Sequence, residues 1–225
     1  MQGGVPNRLY AAELAQRGYV VAAPDYPSFG DYKGYNFEND DYISGTMKAI
    51  VDNMRCVDLL QSRKDVDPER IGTIGHSLGG HNSMYTAVFD ERLKVVVSSC
   101  GWTPFHDYKG GKVAGWTSTR YMPLIKTKYK LNPDRIPFDF YEVVVAIAPR
   151  SFFSSSPVND SNFDVNGVKK GIAKSKDIFA LLGAADNLQV DYPDCKHDFI
   201  PTARRKAYAF IDKKFKHKPT RDVPE

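Results

Sequence analysis

The chain has 225 residues, 42% of them hydrophobic and 26% charged, with a formal net charge of +4. That length supports one domain with a sizeable core, and the balance is that of a soluble globular chain. No apolar run reaches the roughly 18 residues of a membrane span, and 1–6 carries neither the basic nor the apolar stretch of a secretion signal. The mild charge makes no case for a nucleic-acid partner. Its densest basic run, Lys213-Lys214-Phe215-Lys216-His217-Lys218, reads as favourable charge at a helix C-terminus followed by a solvated tail. Cys56, Cys100 and Cys195 are widely spaced and form no CxxC pair, which argues against a disulfide framework or a zinc site and favours reduced thiols.

In chain order, 7–17 reads as a helix with Leu9 and Leu14 on its apolar face, stopped by Gly18. Residues 19–23, Tyr-Val-Val-Ala-Ala, form a continuous apolar run and predict a buried parallel strand. The loop over 24–34 follows, which places Asp25, Tyr26 and Phe29 at a strand's carboxyl end, where open α/β sheets collect ligands. A long helix over 42–62 leads through the turn Asp67-Pro68-Glu69-Arg70 to a short apolar run and then Gly75-His76-Ser77-Leu78-Gly79. Strand, Gly-x-Ser-x-Gly and amphipathic segment together are the pattern of a nucleophile elbow, which lifts a serine Oγ above the sheet edge. The elbow helix covers 78–89 and another strand covers 93–98.

Residues 102–141 break the alternation. Nine aromatic residues, from Trp102 to Tyr141, with several Pro and Gly make this stretch too long for a plain connection and too aromatic for a disordered linker. It is expected to be a partly helical, lid-like insertion, whether as an aromatic satellite core or as a substrate wall. Trp102 and His106, with Tyr26, are its candidate pocket residues. After it come a short helix (142–148), a strand (151–156), a helix (165–182), a last strand (188–192) and a final helix (201–215). Such alternation predicts a single α/β domain over 1–225, with a mostly parallel sheet covered on both faces.

A serine needs an imidazole to take its proton. Of five histidines, His76 lies inside the elbow and points away from the serine, His81 is in the elbow helix, His106 is in the insertion and His217 is in the tail. His197 lies between the last strand and the last helix, where the base is expected. The base in turn needs a carboxylate to hold its tautomer. Asp160, at the end of the preceding strand, is the candidate; Asp164, Asp186 and Asp194 are rivals, and Asp198 is too near His197 in sequence to reach its ring. Cys195 is expected near the site.

The order Ser77, Asp160, His197 resembles that of the α/β-hydrolase superfamily. More narrowly, the chain resembles the dienelactone-hydrolase-like and acetyl-xylan-esterase-like serine esterases. Arg17-Gly18-Tyr19-Val20-Val21, Pro24-Asp25-Tyr26, the elbow, the Asp160 loop and His197-Asp198-Phe199 carry that resemblance. Prolyl-oligopeptidase-type peptidases share the same order and stay open as an alternative, as does a catalytically silent remnant of the fold. The resemblance implies a cofactor-free, metal-free serine hydrolase acting on a small-molecule or carbohydrate ester through an acyl-enzyme, with the Leu78 N–H in the oxyanion hole. Relatives of this kind are often exported. It also implies three strands before the 7–17 helix, the third of them lying between 19–23 and the elbow strand, and 1–6 is too short to supply it, so the first three strands are expected to be lacking. The expectation is therefore about five strands with a gap or re-pairing between the first two, in an incomplete chain or a sheet closed differently. The second oxyanion donor is then missing unless Gly3 or Gly4 stands in.

Overall fold

The computed structural model describes residues 9–221. The expected helix start at Asn7 and the stand-in donors Gly3 and Gly4 lie outside the described residues. One parallel sheet holds β1 (Ile71–His76), β2 (Leu93–Ser99), β3 (Ser151–Ser155) and β4 (Leu188–Asp191), in that spatial order. His76 is opposite Ser99, Ser99 opposite Ser155 and Ser155 opposite Asp191. All four strands therefore end in one row, and the loops leaving them share one edge of the molecule.

Among the described residues, seven α-helices accompany the sheet: α1 (Tyr10–Gln16), α2 (Gly45–Ser62), α3 (Leu78–Phe89), α4 (Leu124–Thr127), α5 (Phe140–Ile147), α6 (Val165–Leu181) and α7 (Pro201–Phe215). Strand side chains alternate between faces. Val96 and Phe152 enter the core shared with α2, α3, α5 and α6, while Val95, Val97 and Phe153 enter the core shared with α1 and α7. The three-layer α/β architecture expected from the alternation is the one observed.

Side-chain caps set the starts of α2, α5 and α6. The α2 helix begins at Gly45 because Ser44 Oγ accepts the Met47 N–H at 3.1 Å. At α5, Asp139 and Glu142 form a reciprocal capping box, so the helix starts before the predicted 142. Asp139 also accepts the Phe105 N–H at 2.9 Å, pinning the long connection to the helix. The α1 helix stops one residue short of Arg17, with Gly18 at φ +95°, a value that side-chain-bearing residues avoid. It is tied to α7 by Glu13, whose carboxylate takes two N–H bonds from Arg204, both at 2.8 Å, and the Tyr208 hydroxyl at 2.5 Å.

The predicted strand over 19–23 is corrected. These residues do not join the sheet, and Val20 and Val21 are 42% and 37% exposed. Among the described residues, no backbone N–H from 20 to 23 donates to another backbone group. A strand needs a neighbour's backbone to pair with. Here the segment faces β1 across a cavity of about 720 Å³, lined on one side by Val20 to Ala23 and on the other by Ile71 to Ile74. The gap expected beside the elbow strand is present, and the described sheet has four strands instead of five.

The aromatic connection over 102–141 is packed. Trp102, Phe105, Tyr108, Trp116 and Phe140 are all buried in the same core as α3 and α6. Trp116 touches the rings of Tyr108, Tyr121, Phe140 and Phe163, with centroid separations of 5.4 to 5.9 Å.

Candidate active site

The elbow follows from β1 ending against α3. Ser77 has φ 55° and ψ −117°, a strained conformation for a residue with a side chain. Two backbone bonds hold it there: Ser77 N–H to the Ser99 carbonyl at 2.8 Å, and His81 N–H to the Ser77 carbonyl at 2.9 Å. Gly75 is required because a Cβ there would lie 2.1 Å from the Gly79 carbonyl. The tight turn aims the Ser77 hydroxyl away from the sheet.

The Ser77 hydroxyl meets the imidazole of His197, with Oγ to Nε2 at 2.8 Å. On the other side of that ring, Nδ1 lies 2.9 Å from Asp160 Oδ2. Asp160 Oδ1 accepts the backbone N–H groups of Asn162 at 2.8 Å and Phe163 at 3.2 Å. Burial pushes the Asp160 carboxyl pKa up, but the bonds from His197, Asn162 and Phe163 outweigh it and leave it below the ordinary carboxylate value. The Asp160 side chain is 1% exposed and that of His197 28%, so the carboxylate is sealed while the imidazole reaches solvent. With the carboxylate on Nδ1, the Nδ1–H tautomer is favoured and Nε2 is left to accept a proton.

The two loops that carry the pair are joined to each other. Val158 N–H donates to the Pro193 carbonyl at 3.0 Å, Asn159 N–H to the Cys195 carbonyl at 3.2 Å, and Asn159 Nδ2 to Asp194 at 2.8 Å. Ring contacts from His76 at 5.1 Å and Phe163 at 5.8 Å fix the His197 imidazole. The rivals to Asp160 are occupied elsewhere: Asp164 caps α6, Asp194 takes Asn159, and Asp198 accepts the Phe199 N–H. Asp186 lies in the short turn before β4.

Two candidate pocket residues are corrected. Trp102 is 1% exposed and donates its indole N–H to Ser154 Oγ at 3.0 Å, so it is core and lines no open wall. The His106 side chain is 59% exposed and pairs with Asp134 at 3.0 Å on the surface of the connection. Tyr26 does line a cavity, the one beside β1, and its hydroxyl donates to the Arg120 carbonyl at 2.6 Å. His81 is fully buried against Trp116, and burial alone drives its pKa down to about 3, so it stays neutral.

The sequence reading missed Cys100 and Phe163. Cys100 directly follows β2, has φ +49°, and is 2% exposed. Its sulfur lies 3.4 Å from the Asp198 carbonyl and also interacts with Asp160. The usable signal was its place at a strand's carboxyl end; no local motif links it to residues 60 and 97 positions away. Cys195 lies nearby as expected, 3.9 Å from the same carbonyl.

The model of the prolyl oligopeptidase family matches residues 7–218. YtaP of Bacillus subtilis (strain 168), which carries a hydrolase name, is 32% identical over 222 residues; the match covers 91% of this chain and 68% of YtaP. Carbohydrate esterase MZ0003, from an unknown prokaryotic organism, is 23% identical over 81% of this chain and 47% of its own length. Among solved structures, the glucuronoyl esterase of Solibacter usitatus superposes with TM-score 0.64 at 20% identity, covering 76% of this chain. A carbohydrate esterase family 15 glucuronoyl esterase of Caldicellulosiruptor kristjansonii gives TM-score 0.67 at 18% identity, covering 81%. The chain spans about half the length of these two solved structures, 49% and 55%. With the family match running over nearly the whole chain and the esterase structures sharing its sheet and helices, this α/β-hydrolase chain belongs to the prolyl oligopeptidase family.

Proposed function

We propose that the chain is a serine hydrolase that cleaves carboxylic esters, with Ser77 as nucleophile, His197 as general base and acid, and Asp160 as the group that orients it. The observation that carries this reading is the continuous relay Oγ–Nε2 at 2.8 Å and Nδ1–Oδ2 at 2.9 Å, built on a strained serine. His197 Nε2 takes the hydroxyl proton as Oγ attacks the ester carbonyl. The Leu78 N–H, first in α3, donates to the developing oxyanion, a bond whose loss costs about 10²–10³ in rate. The imidazolium, stabilised by Asp160, then protonates the departing alcohol. Water repeats the cycle on the acyl-enzyme.

The proposed substrate class is an ester of a carbohydrate or another small alcohol. Support comes from relatives named as carbohydrate and glucuronoyl esterases. The family's description keeps open a second reading, a peptidase or amidase. Rates on acetylated sugars, uronate esters and p-nitrophenyl acetate, set against peptide anilides, separate the two. Hydrolysis of esters, lost in Ser77→Ala and with no anilide cleavage, is the expected result. Anilide cleavage without ester cleavage would replace the first reading by the second.

A further inference from the structure

The acid and the base of the relay share a third neighbour that the proposed mechanism does not use. Cys100 Sγ, an Asp160 carboxylate oxygen and a His197 ring nitrogen all lie within 4.8 Å of one another. They come from the loops after β2, β3 and β4, so no sequence spacing announces them. Cys100 is held in place from both sides. Its N–H donates to the Ser155 carbonyl at 2.9 Å, and its sulfur reaches the Asp198 carbonyl. A tetrahedral site with bonds of about 2.0–2.3 Å places its ligand atoms roughly 3.3–3.8 Å apart. An edge at the 4.8 Å limit would contract by about 1–1.5 Å, and the Nδ1–Oδ2 edge, now 2.9 Å, would open by about 0.4 Å or more. Cys195 Sγ lies 3.9 Å from the same Asp198 carbonyl and outside the cluster.

We propose that Cys100, Asp160 and His197 form a binding site for a thiophilic divalent cation, zinc or cadmium, and that its occupation switches hydrolysis off. Its inhibitory consequence rests on His197 being the general base; the binding site itself does not. The donor set of thiolate, imidazole and carboxylate is the one zinc prefers, and hard cations such as magnesium favour all-oxygen sites. Two anionic ligands neutralise the dication in a place where uncompensated charge would be costly. On binding, the Cys100 thiol releases one proton to solvent and the S–H bond is replaced by sulfur–metal. The cation takes the lone pair of Nδ1, so the imidazole's proton relocates to Nε2. Nε2 then carries hydrogen and no longer accepts the Ser77 proton. Because a thiol proton is released, binding strengthens as pH rises. Burial, and then the Asp160 charge, hold the Cys100 thiol above its ordinary value, so the site competes with a tightly held proton.

The test uses the full chain in a Cys56→Ser, Cys195→Ser background, which removes both thiols outside the cluster. Cadmium titration is followed by the ultraviolet thiolate-to-cadmium charge-transfer band, beside zinc titration of ester hydrolysis. Each variant's rate is normalised to its own metal-free rate. Expected are one cadmium per chain, zinc inhibition reversed by EDTA, and no inhibition by magnesium or calcium. In Cys100→Ser and Cys100→Ala, the band is lost and half-inhibition by zinc rises by about 10–100-fold. A band that persists in both folded Cys100 variants, or equal zinc sensitivity with and without Cys100, overturns the site. A chain that binds cadmium through Cys100 yet hydrolyses no ester keeps the site and refutes the functional reading instead.

Discussion

The two flanks of β1 are built from similar sequence and end differently. On one side β1 pairs with β2 through six residues, and the row continues through β3 and β4. The loops at their ends zip together and hold His197 within hydrogen-bond reach of Ser77, and Asp160 within reach of His197. On the other side an apolar run of comparable length, 19–23, stands apart from β1 across the cavity and exposes its valines. An apolar sequence sets which residues seek burial; a strand forms only where backbone donors and acceptors are offered alongside it. The relay of Ser77, His197 and Asp160 lies on the paired side.

The largest expected effect of breaking the paired side is on catalysis. His197→Ala is expected to lower kcat for ester hydrolysis by about 10⁶, since nucleophile and base act as one unit. Asp160→Asn keeps the shape but favours the wrong tautomer, and a loss of about 10⁴ is expected. Single-turnover and steady-state rates on the same ester check both, and equal effects of the two variants would remove the orienting role given to Asp160.

A stability comparison sharpens the contrast between the flanks. Phe152, fully buried in β3, is expected to cost about 3–5 kcal/mol as Phe152→Ala. Val21→Ala, at an exposed and unpaired position, should stay within about 0.5 kcal/mol. Urea denaturation measures both. A large loss at Val21 would mean that 19–23 is paired in solution.

A smaller effect is read through pH. His81 is buried and neutral when folded, with its pKa moved from 6.5 down to about 3. Below about pH 6.5 the unfolded chain gains this proton and the folded chain does not, so stability falls as pH falls, until the folded group titrates near 3. One such group gives a slope of up to about 1.4 kcal/mol per pH unit. His81→Phe should flatten that slope whatever it costs at neutral pH. Asp160 adds to the same trend only lower, as pH drops from its ordinary 3.8 through its depressed folded value. Chemical denaturation at several pH values tests this, and an unchanged slope in His81→Phe would contradict it.

Much of the relay was legible in sequence because its parts are local or positional. Gly75 reports a turn that only glycine fits, and Asp160 and His197 stand in the loops that follow parallel strands. The capping pair Asp139 and Glu142 was equally legible as a spacing, though the predicted start at 142 passed over it. Pairing at 19–23 was not legible, because it depends on a neighbour that the segment itself does not encode. Nor was the fate of Trp102, whose indole turns inward to Ser154 instead of outward to a pocket. Cys100 escaped notice because only the assembled strand ends bring it to Asp160 and His197.

The account stands on Ser77 being the activated nucleophile, and a fluorophosphonate probe tests that most directly. Peptide mass mapping of the labelled, folded chain should place one adduct on Ser77, absent in Ser77→Ala and strongly slowed in His197→Ala. An adduct on another residue, or none on a chain shown to be folded, would contradict it.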